Sequence, residues 1–194
     1  MNATAVYRRV ERLMNVSDRV PRVTVIPPER VVPDASPTPV ETALGFGNET
    51  GDWQRCGAFA SARASDDEVR IATGNLSPSG VELVLAHEYV HTLQEEVAGF
   101  ENATRRAPGS FGITMVEGSA VYVADAYARR YDERWADKRP LEIRECLYRQ
   151  TRNRVRTISG QYYFGGRYFA ERLDSPSELS RVFADPPRTT EQLV

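Results

Sequence analysis

Residues 87–91 read His-Glu-Tyr-Val-His, and the 194-residue chain has no other histidine. The five residues sit in an apolar run of Val81, Leu83, Val84, Leu85, Ala86, Val90 and Leu93. Ser79 with Glu82 three residues on has the form of a capping box, so a helix is expected from there to about Val97. Side chains four residues apart lie one above the other on a helix face. Two imidazoles at that spacing can reach one metal ion at about 2.0–2.1 Å. Glu88 then points beside the ion, where a carboxylate can act as general base toward water. Apolar residues run nearly all the way round this helix, so the rest of the chain must wrap it and still leave the imidazole face open.

A catalytic ion of this kind takes three protein ligands, and with no third histidine the remaining one must be a carboxylate. Glu95 shares the face of His91, but a helix rises about 12 Å between positions 87 and 95. Glu117 is the better candidate. It lies near the start of the next expected helix, Ile113 to Arg130, after a loop containing Gly99, Pro108 and Gly109. That loop lets the two helices run antiparallel with Glu117 facing His87 and His91, and Gly118 would let them pack closely. The competing use for Glu117 is a capping box with Thr114.

Elsewhere, strands come early and helices late. Val6, Val10, Leu13 and Met14 space a helix over 4–15, Arg22 to Ile26 reads as a strand, and five prolines from Pro27 to Pro39 form an extended connector. Thr38-Pro39-Val40-Glu41 has capping form for a short helix. Gln54 to Ser61 and Glu68 to Thr73 read as strands around a polar turn. A helix from Pro140 carries Arg144, Arg149, Arg152, Arg154 and Arg156, another contains Gly160 to Leu173, and Ser175-Pro176 opens a last short one. The expected fold class is α+β, mainly helical with a small N-terminal sheet. We expect one domain over 1–194, in which 1–40 supply helix, strand and connector and 41–194 form the catalytic core.

A histidine helix of this form followed by Glu117-Gly-Ser-Ala120 resembles the gluzincin metallopeptidases of the zincin fold. A closer resemblance covers residues 81–193. Leu85-Ala-His-Glu-Tyr-Val-His-Thr-Leu-Gln94, Val116-Glu-Gly118, Tyr163-Phe-Gly-Gly166 with Phe169, and Pro186-Pro-Arg-Thr-Thr-Glu-Gln192 are similar to segments of secreted, largely uncharacterised bacterial and archaeal gluzincin-like proteins. The resemblance implies a zincin-like fold, zinc at His87, His91 and Glu117, Glu88 as general base and then acid, and a peptide or protein substrate. It also implies an edge strand that pairs with extended substrate, a part open to either 57–61 or 69–72. Val121 stands four residues after Glu117, where thermolysin-like enzymes have Asp, so Asp125 becomes the candidate for orienting a histidine. In the resembled set the last segment continues into Leu-His-Pro, which this sequence does not reach. The donor to a developing oxyanion is therefore sought among Tyr162, Tyr163 and Arg167, with Tyr163 taken as the catalytic residue. Two other readings stay open: a secreted zinc-bearing surface module without peptidase activity, and a metal hydrolase acting on a small amide.

Lys and Arg total 25 against 27 Asp and Glu, a formal charge of −2. That balance provides no chain-wide basic footprint, and no nucleic-acid partner is expected. No run approaches the roughly 18 apolar residues of a spanning helix. Five of six asparagines open an Asn-x-Ser/Thr sequon (Asn2, Asn15, Asn48, Asn75 and Asn102). The excess points to an extracellular or cell-surface glycoprotein, although the same residues also suit turns and caps. No signal-peptide pattern begins the chain, which fits an excised or mature form. In that compartment Cys56 and Cys146 can pair; otherwise they are two buried thiols. The arginines from 144 to 156 read as a solvated helix face rather than a polyanion site.

Overall fold

The computed structural model describes residues 1–27, 56, 61–65, 67–72, 77–106, 111–131, 139–150 and 153–193. The Pro-rich connector beyond Pro27, with its expected cap at Thr38, lies outside them, as do Asn48 and Asn75.

Helix α1 (Ala3–Met14) starts where the Asn2 side chain accepts from the Ala5 N–H and stops at Asn15, whose left-handed φ of 55° ends it. Strands β1 (Arg22–Val25), β2 (Ser61–Ala64) and β3 (Glu68–Ala72) form a sheet of order β1-β3-β2. β1 runs parallel and β2 antiparallel to the central β3. Most of the strand expected over Gln54 to Ser61 lies outside the described residues, and the described strand runs on to Ala64. Ser65 and Glu68 exchange backbone hydrogen bonds, so the turn closes directly after Ala64 and pairing starts beside it.

Helix α2 (Pro78–Leu93) carries the two histidines. Its cap is Ser77, which accepts from the Gly80 N–H at 3.1 Å, with Pro78 in the first turn. The cap therefore lies two residues before the expected Ser79, because proline's fixed φ suits the first turn and its missing N–H is not needed there. One 3-10 turn (Gln94–Glu96) prolongs the helix, and α3 (Phe100–Arg106) occupies part of the expected loop. Then follow α4 (Phe111–Tyr131), α5 (Pro140–Gln150), α6 (Asn153–Arg172) and α7 (Leu179–Ala184). The arginine helix expected to run on through Arg156 ends at Gln150. The chain reverses so that α5 lies on α6, with Tyr148 stacked on Tyr163 and edge-on to Phe164.

The chain is thus mostly helical with one small three-stranded sheet, consistent with α+β. α2 runs through its core: Leu85, Ala86, Tyr89, Val90 and Leu93 are fully buried. Tyr89 meets Tyr7 of α1 edge-to-face at 5.0 Å. At the start of α2, Glu82 accepts from Tyr127 Oη at 2.6 Å and Arg9 at 2.9 Å. Just past its end, Gln94 donates to the Val116 carbonyl. α2 and α4 therefore run antiparallel, as their spacing predicts.

Gly118 does a different job from the expected one. A Cβ on Gly118 would lie 2.5 Å from the Gly165 Cα, and one on Gly165 would lie 2.8 Å from the Gly118 Cα. The two glycines let α4 and α6 touch backbone to backbone; Gly118 does not face the histidine helix. Cys56 and Cys146 are joined as a disulfide that ties residue 56 to α5. Three of the five sequons have a local structural cause: Asn2 and Asn15 cap α1, and Ser77 of the Asn75 sequon caps α2. Among the described residues no helix is long and apolar enough to cross a membrane.

Candidate metal centre

His87 and His91 project from one face of α2, and α4 carries Glu117 to meet them. The three facing atoms form a near-equilateral triangle: His87 Nε2 to Glu117 Oε2 is 3.3 Å, His91 Nε2 to His87 Nε2 is 3.3 Å, and His91 Nε2 to Glu117 Oε2 is 3.4 Å. Tetrahedral ligands about 2.0–2.1 Å from an ion stand about 3.3–3.4 Å from one another. The donor set and its edge length both fit one divalent ion. Among the described residues this is the one cluster of three such groups. Thr114 lies inside α4, one turn before Glu117, so the capping-box use of Glu117 does not arise. Glu95 is exposed on the 3-10 turn and takes no part.

The three side chains are only 14–21% exposed, so their charges are weakly screened. Burial alone would lower the His91 pKa, but hydrogen bonding and attraction to the Glu117 carboxylate reverse this and raise it to about 9. Burial alone would likewise raise Glu117, yet the two imidazoles hold its carboxyl far below the usual range. The cluster thus forms a tight unit of opposite charges, and a metal ion bound there would take the place of the shared protons.

Sequence reasoning sought the residue that orients a histidine in Asp125. The structure puts Asp125 elsewhere. It is ion-paired with Arg129 and Arg139 and accepts from the Leu141 N–H at the start of α5. The orienting residue is Gln94, fully buried. Its amide nitrogen donates to the Val116 carbonyl (2.7 Å) and to Ser119 Oγ (2.8 Å), which leaves Oε1 to face His91 Nδ1 at 3.0 Å. An acceptor there requires a proton on Nδ1 and turns the Nε2 lone pair of neutral His91 toward the cluster. Both amide donors bind α4 within three residues of Glu117, so one side chain orients His91 and secures the carboxylate's helix. The available signal was Leu93-Gln94 shortly after the second histidine, but nothing in its spacing revealed a contact with α4. Gln94→Leu is expected to weaken any divalent-metal binding at this cluster roughly 10–100-fold, as loss of such orienting partners does. Competition against a chromophoric chelator measures this.

Glu88 is 8% exposed and makes no hydrogen bond to any described residue. Its charge is nevertheless felt by His91, Tyr162 and Arg144, so its carboxylate lies at the cluster. Of the two adjacent tyrosines on α6, the structure brings Tyr162 to the site. Its ring stacks on His87 at 6.3 Å with 14° between planes, and burial together with the Glu117 carboxylate drives its phenol pKa well up. Tyr163, expected from sequence to be catalytic, instead packs against Tyr148 and Phe164 and makes no described contact with the triangle. Residues one apart on a helix differ by about 100° in direction, and the packing of α6 on α4 and α5 chooses between them. Arg167 is exposed and paired with Glu171.

An open cleft of 440 Å³ reaches Glu117 from the α3 side, lined by Glu101, Thr104, Arg105, Gly112, Ile113 and Val116. Of the segments considered for pairing with substrate, 57–60 lie outside the described residues and 69–72 lie in β3, whose two edges are occupied; β2, which starts at Ser61, is an edge of the described sheet and packs near α2. Searches against protein-family models, curated proteins and solved structures find no match to the chain.

Proposed function

We propose that this chain is a zinc-dependent metallopeptidase of the gluzincin kind, with a zincin-like arrangement of sheet and helices. The observation that carries the reading is the His87–His91–Glu117 triangle, whose edges match tetrahedral coordination and which Glu88 flanks. Two imidazoles and a carboxylate with one position left for water or substrate are a zinc donor set seen in hydrolytic sites. An ion held there supplies Lewis acidity, polarising a carbonyl and making water more acidic.

The protein's own groups do the rest. Glu88 takes a proton from the attacking water as the new C–O bond forms, and delivers it to the amine nitrogen as the C–N bond breaks. Its lack of a hydrogen bond to any described residue suits a group that must exchange a proton with substrate. The Tyr162 hydroxyl, beside the Glu117 carboxylate, would donate to the carbonyl oxygen as negative charge develops there. Its raised pKa keeps it a donor throughout the neutral range. Gln94 holds His91 in the ligating tautomer.

The test uses zinc-loaded protein and quenched-fluorescent peptide libraries. Glu88→Gln is expected to keep one zinc per chain and lower kcat by roughly 10²–10⁴-fold. Tyr162→Phe should lower kcat by roughly 10²–10³-fold with little change in KM, while Tyr163→Phe leaves it unaltered. A zinc-loaded wild-type protein that cleaves no library peptide would instead support the reading as a zinc-bearing surface module.

A further inference from the structure

Arg144 was read from sequence as part of a solvated arginine face. In the structure it is partly buried on α5, its guanidinium carbon 4.1 Å from the centre of the Tyr162 ring. Tyr162 in turn stacks on His87. One aromatic ring therefore links this cation to a candidate metal ligand.

Its neighbours on and beside α5 find carboxylates. Arg139 pairs with Glu142 and Asp125, and Arg149 with Glu145. Arg144 makes no ion pair or hydrogen bond with any described residue. Every other arginine whose side-chain burial is described is either exposed or ion-paired. The carboxylates whose field reaches it are Glu117 and Glu88. The first is engaged by two imidazoles, and the second is the proposed proton carrier. Burial lowers the guanidinium's pKa, although an arginine side chain remains charged at any physiological pH.

A desolvated charge without a counter-ion is unfavourable unless something else supplies one. Stacking on Tyr162 holds the guanidinium plane by cation–π attraction. A guanidinium's N–H groups form the planar fork that grips a carboxylate with two parallel hydrogen bonds. A peptide offers anionic groups of one chemical kind, carboxylates at its C-terminus or on Asp and Glu side chains.

We propose that Arg144 is a specificity-determining residue that binds a carboxylate of the peptide substrate beside the metal centre. This rests on the peptidase reading above and narrows its substrates to peptides with a carboxylate close to the scissile bond. Tyr162 would then serve two faces of the site, one toward the reacting carbonyl and one as the platform for Arg144.

The test is calorimetric binding to the zinc-loaded full chain with three hydroxamate-capped dipeptides. One is leucyl-alanine with a free C-terminal carboxylate, one is the same compound as an amide, and one is that amide with aspartate in place of leucine. At least one carboxylate-bearing probe is expected to bind tenfold or more tightly than the plain amide. Which one it is separates a C-terminal carboxylate from an acidic side chain. Arg144→Gln should abolish this preference while leaving amide binding unchanged, and Arg144→Lys, which keeps the charge without the fork, should retain part of it. Equal binding of all three probes by zinc-loaded wild type overturns the proposal and leaves the peptidase reading standing. A variant that weakens all three alike overturns it too, by showing a purely structural role. Failure of the wild-type chain to take up zinc removes the metal centre and this inference together. Should Arg144→Gln not fold, the wild-type preference and its reduction in Arg144→Lys still decide the matter.

Discussion

Glu117→Gln is expected to abolish stoichiometric zinc binding, the largest single effect anticipated for this chain. The substitution keeps shape and volume but replaces an anionic ligand atom by a neutral amide. Structural zinc sites gain about 10–16 kcal/mol from roughly four ligands, so loss of one should weaken affinity by roughly 10²–10³-fold. It also removes the carboxylate that holds His91 up at about 9, so two crowded imidazoles lose their counter-charge. Metal content after dialysis against a weak chelator gives the readout. His87→Ala and His91→Ala should behave alike, and Glu95→Gln should match wild type because Glu95 is exposed and outside the triangle. Full zinc occupancy in Glu117→Gln would mean that another group is the third ligand.

Gly165→Ala should destabilise the fold by about 3 kcal/mol, at the upper end of overpacking costs. The added methyl meets the Gly118 Cα and the backbone of α4 at Thr114, and backbone cannot rotate aside as a side chain can. At about 2–4 °C per kcal/mol for a chain of this length, the melting temperature should fall by roughly 6–12 °C. Gly118→Ala should do the same. The reciprocal close approach means the double variant is not additive, since either methyl alone already forces the helices apart. The consequence reaches the site, because the α4–α6 contact sets Tyr162 against His87 and Glu117. A variant that still folds should therefore lose turnover as Tyr162→Phe does, with zinc content intact. Unchanged melting in both single variants would show that the helices separate at little cost.

Local periodicity accounts for much of what was legible. The i, i+4 spacing of His87 and His91 puts them on one face wherever that helix is packed. Glu117 was reached by chemistry, because a chain with two histidines must find its third ligand among carboxylates. Errors of detail followed from near-equivalent local signals: Ser77 and Ser79 both offer caps, and only the proline at 78 separates them. The continuous arginine-rich stretch beyond Pro140 hid the reversal between α5 and α6.

Other features arise only through space. Gln94 meets His91 three residues before it, but the acceptors of its amide N–H groups lie on α4, 22 and 25 residues later. Tyr162 and Tyr163 have the same chemistry and adjacent numbers, and the crossing of α6 over α4 determines which reaches the ligands. Arg144 shares its composition with the solvated arginines around it and differs only in lying over Tyr162. The sequence by itself determined the main helices, whose periodicity depends on contacts within one or two turns, and named three candidate ligands, the histidine pair by its spacing and Glu117 by the chemistry a third ligand requires. Only the tertiary structure decided which residues surround those ligands, because the direction of a side chain in the core is set by the helix packed against it.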